Sequence, residues 1–265
     1  MMAFLNVFLR TLGFLVATAT FVVILNIFLY FMPAQDDDYN FIQGDKNSNN
    51  IIAVLDLNGP IINGINQSLV TNIIQYIDPI DVEKYLSELQ IIKPKYLIIK
   101  INSPGGTVTA SYALEKIIND FKKQNNIEVY FHTDSILTSG GYWVATTGNK
   151  IYADYGSIIG SIGVSGPSWY YYDNPTSIST GIVGQKIETT GGIKVFNQNA
   201  GNSKDLYNPF RKPVKEELIH LQNIVKEIYE DFILKVSNAR KIEINTLKNE
   251  IGALIYSGKQ AKQNS

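Results

Sequence analysis

Tyr96-Leu97-Ile98-Ile99-Lys100-Ile101-Asn102-Ser103-Pro104-Gly105-Gly106 decides the fold of this chain. It reads as an apolar strand that runs straight into a proline and two glycines, where the strand must stop. The same grammar repeats on either side. Ile51 to Leu57 is a buried strand closed by Asn58-Gly59-Pro60, and Asp81 to Ile92 has the pattern of a short amphipathic helix. Thr109 to Lys123 predicts a helix with Ala110, Ala113, Leu114, Ile117, Ile118 and Phe121 on one face, followed by a third strand at Val129-Tyr130-Phe131. Ser139 opens a short helix through Ala145; Lys150–Ala153 and Ile158–Val164 read as further short strands. Strands alternating with helices predict an α/β domain with a mostly parallel sheet. The pattern is weak from Ser165 to Asn202, which holds the aromatic run Trp169-Tyr170-Tyr171-Tyr172 and the glycines Gly181, Gly184, Gly191 and Gly192. Pro213 sits where the first residue of a helix would. Leu218, Leu221, Ile224, Val225, Ile228, Phe232, Ile233 and Val236 then form the stripe of a helix of about seven turns.

Composition sets outer limits. The 265 residues suit one globular domain plus an anchor, and a 45% hydrophobic fraction supplies a core. A net charge of −1 makes no case for nucleic acid. With no cysteine, disulfides, zinc–thiolate sites and a cysteine nucleophile are excluded. From Thr11 to Met32 there is no charged residue, a length that spans the hydrocarbon core as a helix. Arg10 precedes it and Asp36-Asp37-Asp38 follow it; by the positive-inside bias, in which acidic residues count little, Arg10 puts Met1 in the cytoplasm and the domain outside. A retained anchor is favoured over a cleaved signal peptide, because the apolar run is long and no A-x-A-like site stands near Pro33-Ala34-Gln35. The expected organisation is an anchor over 1–34, a polar linker over 35–50 and a domain over 51–265.

Thr138-Ser139-Gly140-Gly141-Tyr142 follows the first glycine pair by about thirty residues. A small hydroxyl residue at a strand-to-helix junction, with a glycine turn that leaves N–H groups free, supplies the parts of a nucleophile and an oxyanion hole. Each part also has a plainer reading. Ser139 serves equally well as a helix N-cap, Gly105-Gly106 as a tight turn, and Ser161 as close packing in a glycine-flanked strand. Trp169–Tyr172 reads as packing or subunit contact, ahead of lipid or substrate contact. A serine nucleophile needs a base. There are two histidines, His132 and His220; His132 lies seven residues ahead of Ser139 with no acidic residue evidently placed to orient it. Lysine is the other base, and it works when burial favours its neutral form. Lys150, Lys186, Lys194, Lys204 and the lysines of the long helix are candidates, and residue type alone does not choose among them.

Three ordered motifs are similar to those of the signal peptide peptidase A family: Ile101-Asn102-Ser103-Pro104-Gly105-Gly106, Thr138-Ser139-Gly140-Gly141-Tyr142-Trp143 and Gly160-Ser161-Ile162-Gly163-Val164. The resemblance runs from about Ile51 to Ala261, to the short, single-domain bacterial form. It implies the fold of the Clp protease proteolytic subunit and the crotonases, behind one N-terminal transmembrane helix. By that resemblance Ser139 is the nucleophile, and the base is the lysine of Lys204-Asp205 ahead of Asn208-Pro209-Phe210. Ser161 orients that lysine, and N–H groups around Gly105, Gly106 and Gly140 form the oxyanion hole. Ser139 and Lys204 lie 65 residues apart, longer than the short form implies, with the excess in Trp169–Thr180; Lys194 is the alternative base. No cofactor and no metal are implied. The expected partners are signal peptide remnants and similar apolar segments, lipid through the N-terminal helix, and copies of the chain in a ring, an octamer being one size. The expected place is the bacterial inner membrane, single-pass, with the domain extracytoplasmic. Ile255-Tyr256-Ser257-Gly258-Lys259-Gln260-Ala261 resembles a late family motif after which the family usually continues, so the C-terminus is expected to be incomplete. A crotonase-like acyl-CoA enzyme, or a silent membrane scaffold on the same fold, are the alternatives. The anchor and the Ser139 motif argue against the first, the intact Ser139 and Lys204 against the second.

Overall fold

The computed structural model describes residues 2–31, 40–45, 47–64, 75–173, 177–181, 184–188 and 198–264. The chain divides into two compact units, Met1–Ser48 and Asn49–Ser265. The first holds helix α1, Met2–Phe31, in which Asn6–Ile27 is long and apolar enough to cross a membrane. Twenty-two residues at about 1.5 Å each match the thickness of the hydrocarbon core. The few polar side chains are satisfied inside the helix: the hydroxyls of Thr11, Thr18 and Thr20 and the amide of Asn26 each donate to the carbonyl four residues back. Such internal pairing is what a hydrocarbon solvent requires. This element is a membrane anchor or a signal sequence.

The second unit is built on a four-stranded parallel sheet of order β1-β2-β3-β5, with β1 Ile52–Asn58, β2 Tyr96–Asn102, β3 Glu128–Thr133 and β5 Lys150–Ala153. Helices α2 (Pro79–Ile92) and α3 (Val108–Asn125) are capped by Asp78 and Thr107, whose side chains accept from Ile80 and Ala110 N–H. Their buried Val82, Leu86, Leu114 and Ile118 share one core with Leu97, Ile99, Ile101, Val129 and Phe131 of the strands. A second, smaller sheet has the order β4-β6-β9, from Ile136–Thr138, Ile158–Gly160 and Ile255–Ser257, with β9 antiparallel to β6. The two sheets meet at Ser103. Its N–H donates to Ile136 O (2.7 Å), and its carbonyl accepts from Thr138 N–H (3.0 Å). The fold class is therefore the expected one, α/β with a mostly parallel sheet.

Several local expectations change. β1 and β2 are not buried on both faces. Leu97, Ile99 and Ile101 are buried, whereas Ile98 is half-buried and Ile52 and Val54 are exposed. β6 ends at Gly160 rather than Val164, because Gly160 (φ 120°) and Ser161 (φ 53°) leave the extended region. β4 adds three residues with too little pattern to be read. A hairpin, β7 Ser177–Gly181 with β8 Gly184–Glu188, lies in the stretch of weak pattern. Between β6 and β9 the long helix α5 (Lys215–Arg240) begins two residues after Pro213, not at it. The reason is Glu217, whose carboxylate accepts from Val214 N–H (3.0 Å) and so fixes Val214 as the cap. A three-residue turn of helix, α6 (Ile244–Thr246), runs into the wider turn Leu247–Ile251; α7 (Gly258–Gln263) follows β9.

Phe131 is fully enclosed at the centre of the main sheet. Phe131→Ala is expected to lower the unfolding free energy by about 3–5 kcal/mol in a urea titration. A loss below about 1 kcal/mol would show that the site collapses around the gap.

Candidate active site

The carboxyl ends of β1 and β2 lie level, Asn58 beside Asn102, and ligands of open α/β sheets gather at this edge. Asn102 ties the edge together. Its amide nitrogen donates to Asn58 Oδ1 (3.3 Å) and Asp134 Oδ1 (2.8 Å), and its carbonyl oxygen accepts from Thr133 Oγ1 (2.9 Å) and Ser135 N–H (3.1 Å). The chain leaves this staple as the turn Ser103-Pro104-Gly105-Gly106. Gly105 has φ 101°, and a Cβ on it would stand 2.7 Å from Ser139 Cβ and 3.0 Å from Ser139 Oγ. A Cβ on Gly106 would stand 1.9 Å from Ile61 O. Glycine is thus required at both positions by backbone packing. The Gly105 N–H is already engaged with Ser103 Oγ (3.1 Å), so Gly105 contributes room for Ser139 rather than a free donor.

Ser139 closes β4 and precedes α4 (Gly140–Ala145). It occupies the N-cap position, yet its side chain caps nothing. Its backbone, φ 52° and ψ −125°, lies in a region that glycine adopts readily and serine does not, at a cost of about 1–3 kcal/mol. The conformation is held by Ser139 N–H to Gly160 O (2.9 Å) and by Trp143 N–H to Ser139 O (2.9 Å). The result is a strained strand-to-helix elbow with an uncommitted hydroxyl, the form in which other hydrolase folds present a nucleophile. The first N–H groups of any helix lack intrahelical partners. Among the described residues, neither Gly140 N–H nor Gly106 N–H makes a hydrogen bond.

These groups open on a cavity of about 280 Å³. Its polar lining includes Ser139, Ser161, Ser111, Gly106 and Gly140, and its apolar lining includes Val108, Trp143, Val164 and Phe232. Ser161 reaches it through its own positive φ (53°), with its N–H held by Leu254 O (2.8 Å). Trp143 is braced from both sides. Its indole N–H donates to Glu115 Oε2 (2.7 Å), the ring packs on Phe232 (4.9 Å between centroids), and Lys235 holds the other oxygen of Glu115 (2.7 Å). His132 does not line the cavity; it pairs with Asp154 (3.1 Å), and His220 is exposed on α5. Among the described residues, no group of three or more histidine or carboxylate side chains is gathered as a metal site.

Comparison with known proteins places the chain. The model of peptidase family S49 matches residues 121–265, more than half of the sequence and including Ser139, Ser161 and Lys204. The chain belongs to peptidase family S49. A provisionally named protease of Methanocaldococcus jannaschii is 37% identical over 170 residues, covering 64% of this chain and 50% of its own length. A provisionally named signal peptide peptidase SppA of Enterococcus faecium is 28% identical over 221 residues, covering 82% of this chain and 59% of its own. Protease 4 of Haemophilus influenzae is 26% identical over 170 residues, 64% of this chain and 25% of its own. The chain spans about half the length, or less, of these relatives. The resemblance read from the three motifs agrees with the S49 assignment.

The lysine that the resemblance implies as base is not brought to Ser139. Lys204 is exposed in the turns over Gly201–Tyr207 and does not line the cavity; Lys194 lies outside the described residues. The turn that carries Lys204 is held from its next residue. The guanidinium of Arg211 grips Asp205 through Nε and Nη2 (both 2.7 Å) and Glu217 through Nη1 (2.8 Å) and Nη2 (2.7 Å). The face of Trp169 lies 5.2 Å from that guanidinium, and the Trp169 indole donates to Asn208 O (3.1 Å). Tyr172 N–H donates to Pro209 O (2.8 Å). So the aromatic run packs on the turn after Lys204, and of its alternatives packing is the one the structure shows for Trp169 and Tyr172. The Asp205–Arg211–Glu217 clamp was not read from sequence, though its six-residue spacings were visible; such spacings carry no helical or strand meaning.

Hydrogen bonds from Arg211 hold the Glu217 carboxyl down to about 2, from an ordinary value near 4.5, and push Asp205 down for the same reason. A depressed carboxyl stabilises the fold above its unfolded value and loses that contribution as pH falls through its folded one. Thermal melts are therefore expected to drop between about pH 4.5 and pH 2, and to drop less steeply in Glu217→Gln. Identical pH dependence in the variant would remove Glu217 as the source.

Proposed function

We propose that this chain is a membrane-anchored serine endopeptidase with a Ser139/Lys204 dyad, acting on signal peptide remnants and similar apolar segments. The observation that carries the reading is Ser139: a strained elbow, a hydroxyl that caps nothing, and two unpartnered N–H groups beside it. Ser139 Oγ attacks the peptide carbonyl carbon and passes its proton to the neutral amine of Lys204. The carbonyl oxygen becomes negative against Gly106 and Gly140 N–H, donors matched to charge that exists only in the transition state. Collapse breaks the C–N bond, and the lysine returns the proton to the leaving amine. Water then attacks the Ser139 ester, with the same lysine as base, releasing the acid and restoring the hydroxyl. Ser161 orients the amine from the cavity wall. For this chemistry the side chain of the exposed Lys204 must enter the cavity from a turn whose next residue, Asp205, is held by Arg211.

The apolar wall of Val108, Trp143, Val164 and Phe232 supports acceptance of an apolar side chain. A helix in the bilayer would hold the site near segments released there, raising their effective concentration. The proposed setting is the bacterial inner membrane, with the domain extracytoplasmic and several copies assembled as a ring.

The test is the full chain in detergent, treated with a fluorophosphonate and mapped by mass spectrometry, beside a peptide-cleavage assay. An adduct on Ser139, and a cleavage rate lowered at least about 1,000-fold in Ser139→Ala and in Lys204→Ala, is the expected result. Loss in Lys194→Ala with Lys204→Ala intact moves the base. Neither adduct nor cleavage in folded protein overturns the peptidase reading, and acyl-CoA turnover then becomes the assay.

A further inference from the structure

Ser111 lines the cavity, and its hydroxyl has no use in the sequence of steps above. It lies on the buried face of α3, about 1% exposed, and its Oγ is enclosed without any hydrogen-bond partner. A serine within a helix has a ready partner in the carbonyl four residues back. Here the Ser111 hydroxyl makes no such bond, although its N–H donates to Thr107 O (3.0 Å), and the hydroxyl lies beside α4. The Cβ that residue 140 lacks would stand 2.2 Å from Ser111 Oγ and 3.3 Å from Gly106 N. Ser111 Oγ and the unpartnered N–H groups of Gly106 and Gly140 thus crowd one small region beside Ser139. Native structures rarely leave a buried hydroxyl unsatisfied, and an alanine at 111 would remove that cost and suit the helix better.

We propose that Ser111 is a positioning residue of the oxyanion site, supplying a third dipole from behind Gly140. The proton of a hydroxyl that has no partner turns about Cβ–Oγ without breaking a hydrogen bond. As negative charge grows on the carbonyl oxygen at Gly106 and Gly140, the Ser111 O–H swings toward it. The Ser111 hydroxyl is itself enclosed by protein, where a dipole acts more strongly than in solvent. Ser111 acts across Gly140 rather than by touching substrate, so its effect falls on the transition state and leaves ground-state binding alone.

This inference rests on the proposed Ser139 chemistry, and the experiment separates the two. Ser111→Ala, Ser111→Cys and Ser139→Ala are made in the full chain in detergent, and kcat, KM, Tm and inhibition by a peptide aldehyde are measured. Ser111→Ala is expected to lower kcat about tenfold, less than the hundredfold or more lost with a donor in direct contact. KM should stay within about twofold, and Tm should hold or rise. Aldehyde affinity falls in step with kcat while product-peptide affinity does not, and Ser111→Cys, a weak donor of similar size, lies between. Wild-type kcat in Ser111→Ala, with Ser139→Ala inactive, overturns the role of Ser111 alone. A kcat loss accompanied by a fall in Tm also overturns it, as a packing effect. Activity retained in Ser139→Ala overturns the Ser139 reading and this inference together.

Discussion

The constraint on which the rest of this structure depends is the approach of two glycine turns to backbone contact. The turn after β2 and the elbow before α4 meet so closely that a methyl at Gly105, Gly106 or Gly140 would overlap Ser139, Ile61 or Ser111. That contact needs two sheets held in fixed relation, and the hydrogen bonds of Ser103 to Ile136 and Thr138 supply it. It also needs β1, β2 and β3 to end at one level, which the side chain of Asn102 enforces from their common edge. The core of Leu97, Ile99, Ile101, Val129 and Phe131 provides the rigidity against which so tight a contact is kept.

Unfavourable features collect at that contact. Ser139 and Ser161 both hold positive φ, Gly106 and Gly140 keep unpartnered N–H groups, and Ser111 keeps an unpartnered hydroxyl. Elsewhere Asp78 and Thr107 cap their helices, the positive φ of Lys93, Asn126 and Lys241 closes theirs, and inward residues of β2 and β3 alternate with outward ones. Strain and missing partners gathered around one cavity are a physical mark of a site organised for a state other than the resting one.

The second polar assembly has the opposite character. Asp205 and Glu217 are both paired to one guanidinium, that of Arg211, under the face of Trp169. They fix the turn that follows Lys204 and, through the Glu217–Val214 bond, the start of α5. α5 in turn carries Phe232, which packs on Trp143 in the cavity wall. The turn with Lys204 and the wall of the cavity are therefore joined through one helix.

Much of the architecture was legible in the chain itself. Apolar runs ending at Pro104-Gly105 and Asn58-Gly59-Pro60, and the stripes of α3 and α5, are local patterns, and local patterns determine strands, helices and their alternation. The motif around Ser139 was legible too, because a hydroxyl residue ahead of two glycines at a strand-to-helix junction supplies the local parts of a nucleophile and its donors. What the sequence left open was every feature made by residues distant along the chain. Whether Ser139 caps its helix or stands free depends on Gly105 and Gly160, which pin its backbone in a conformation no cap adopts. That Ser111 lies against Gly140, that Arg211 joins Asp205 to Glu217, and that Trp169 packs on that joint were decided by tertiary structure alone. Periodicity reports which face of an element is buried, whereas the partner that a buried polar group finds, or lacks, is set by what another element places there.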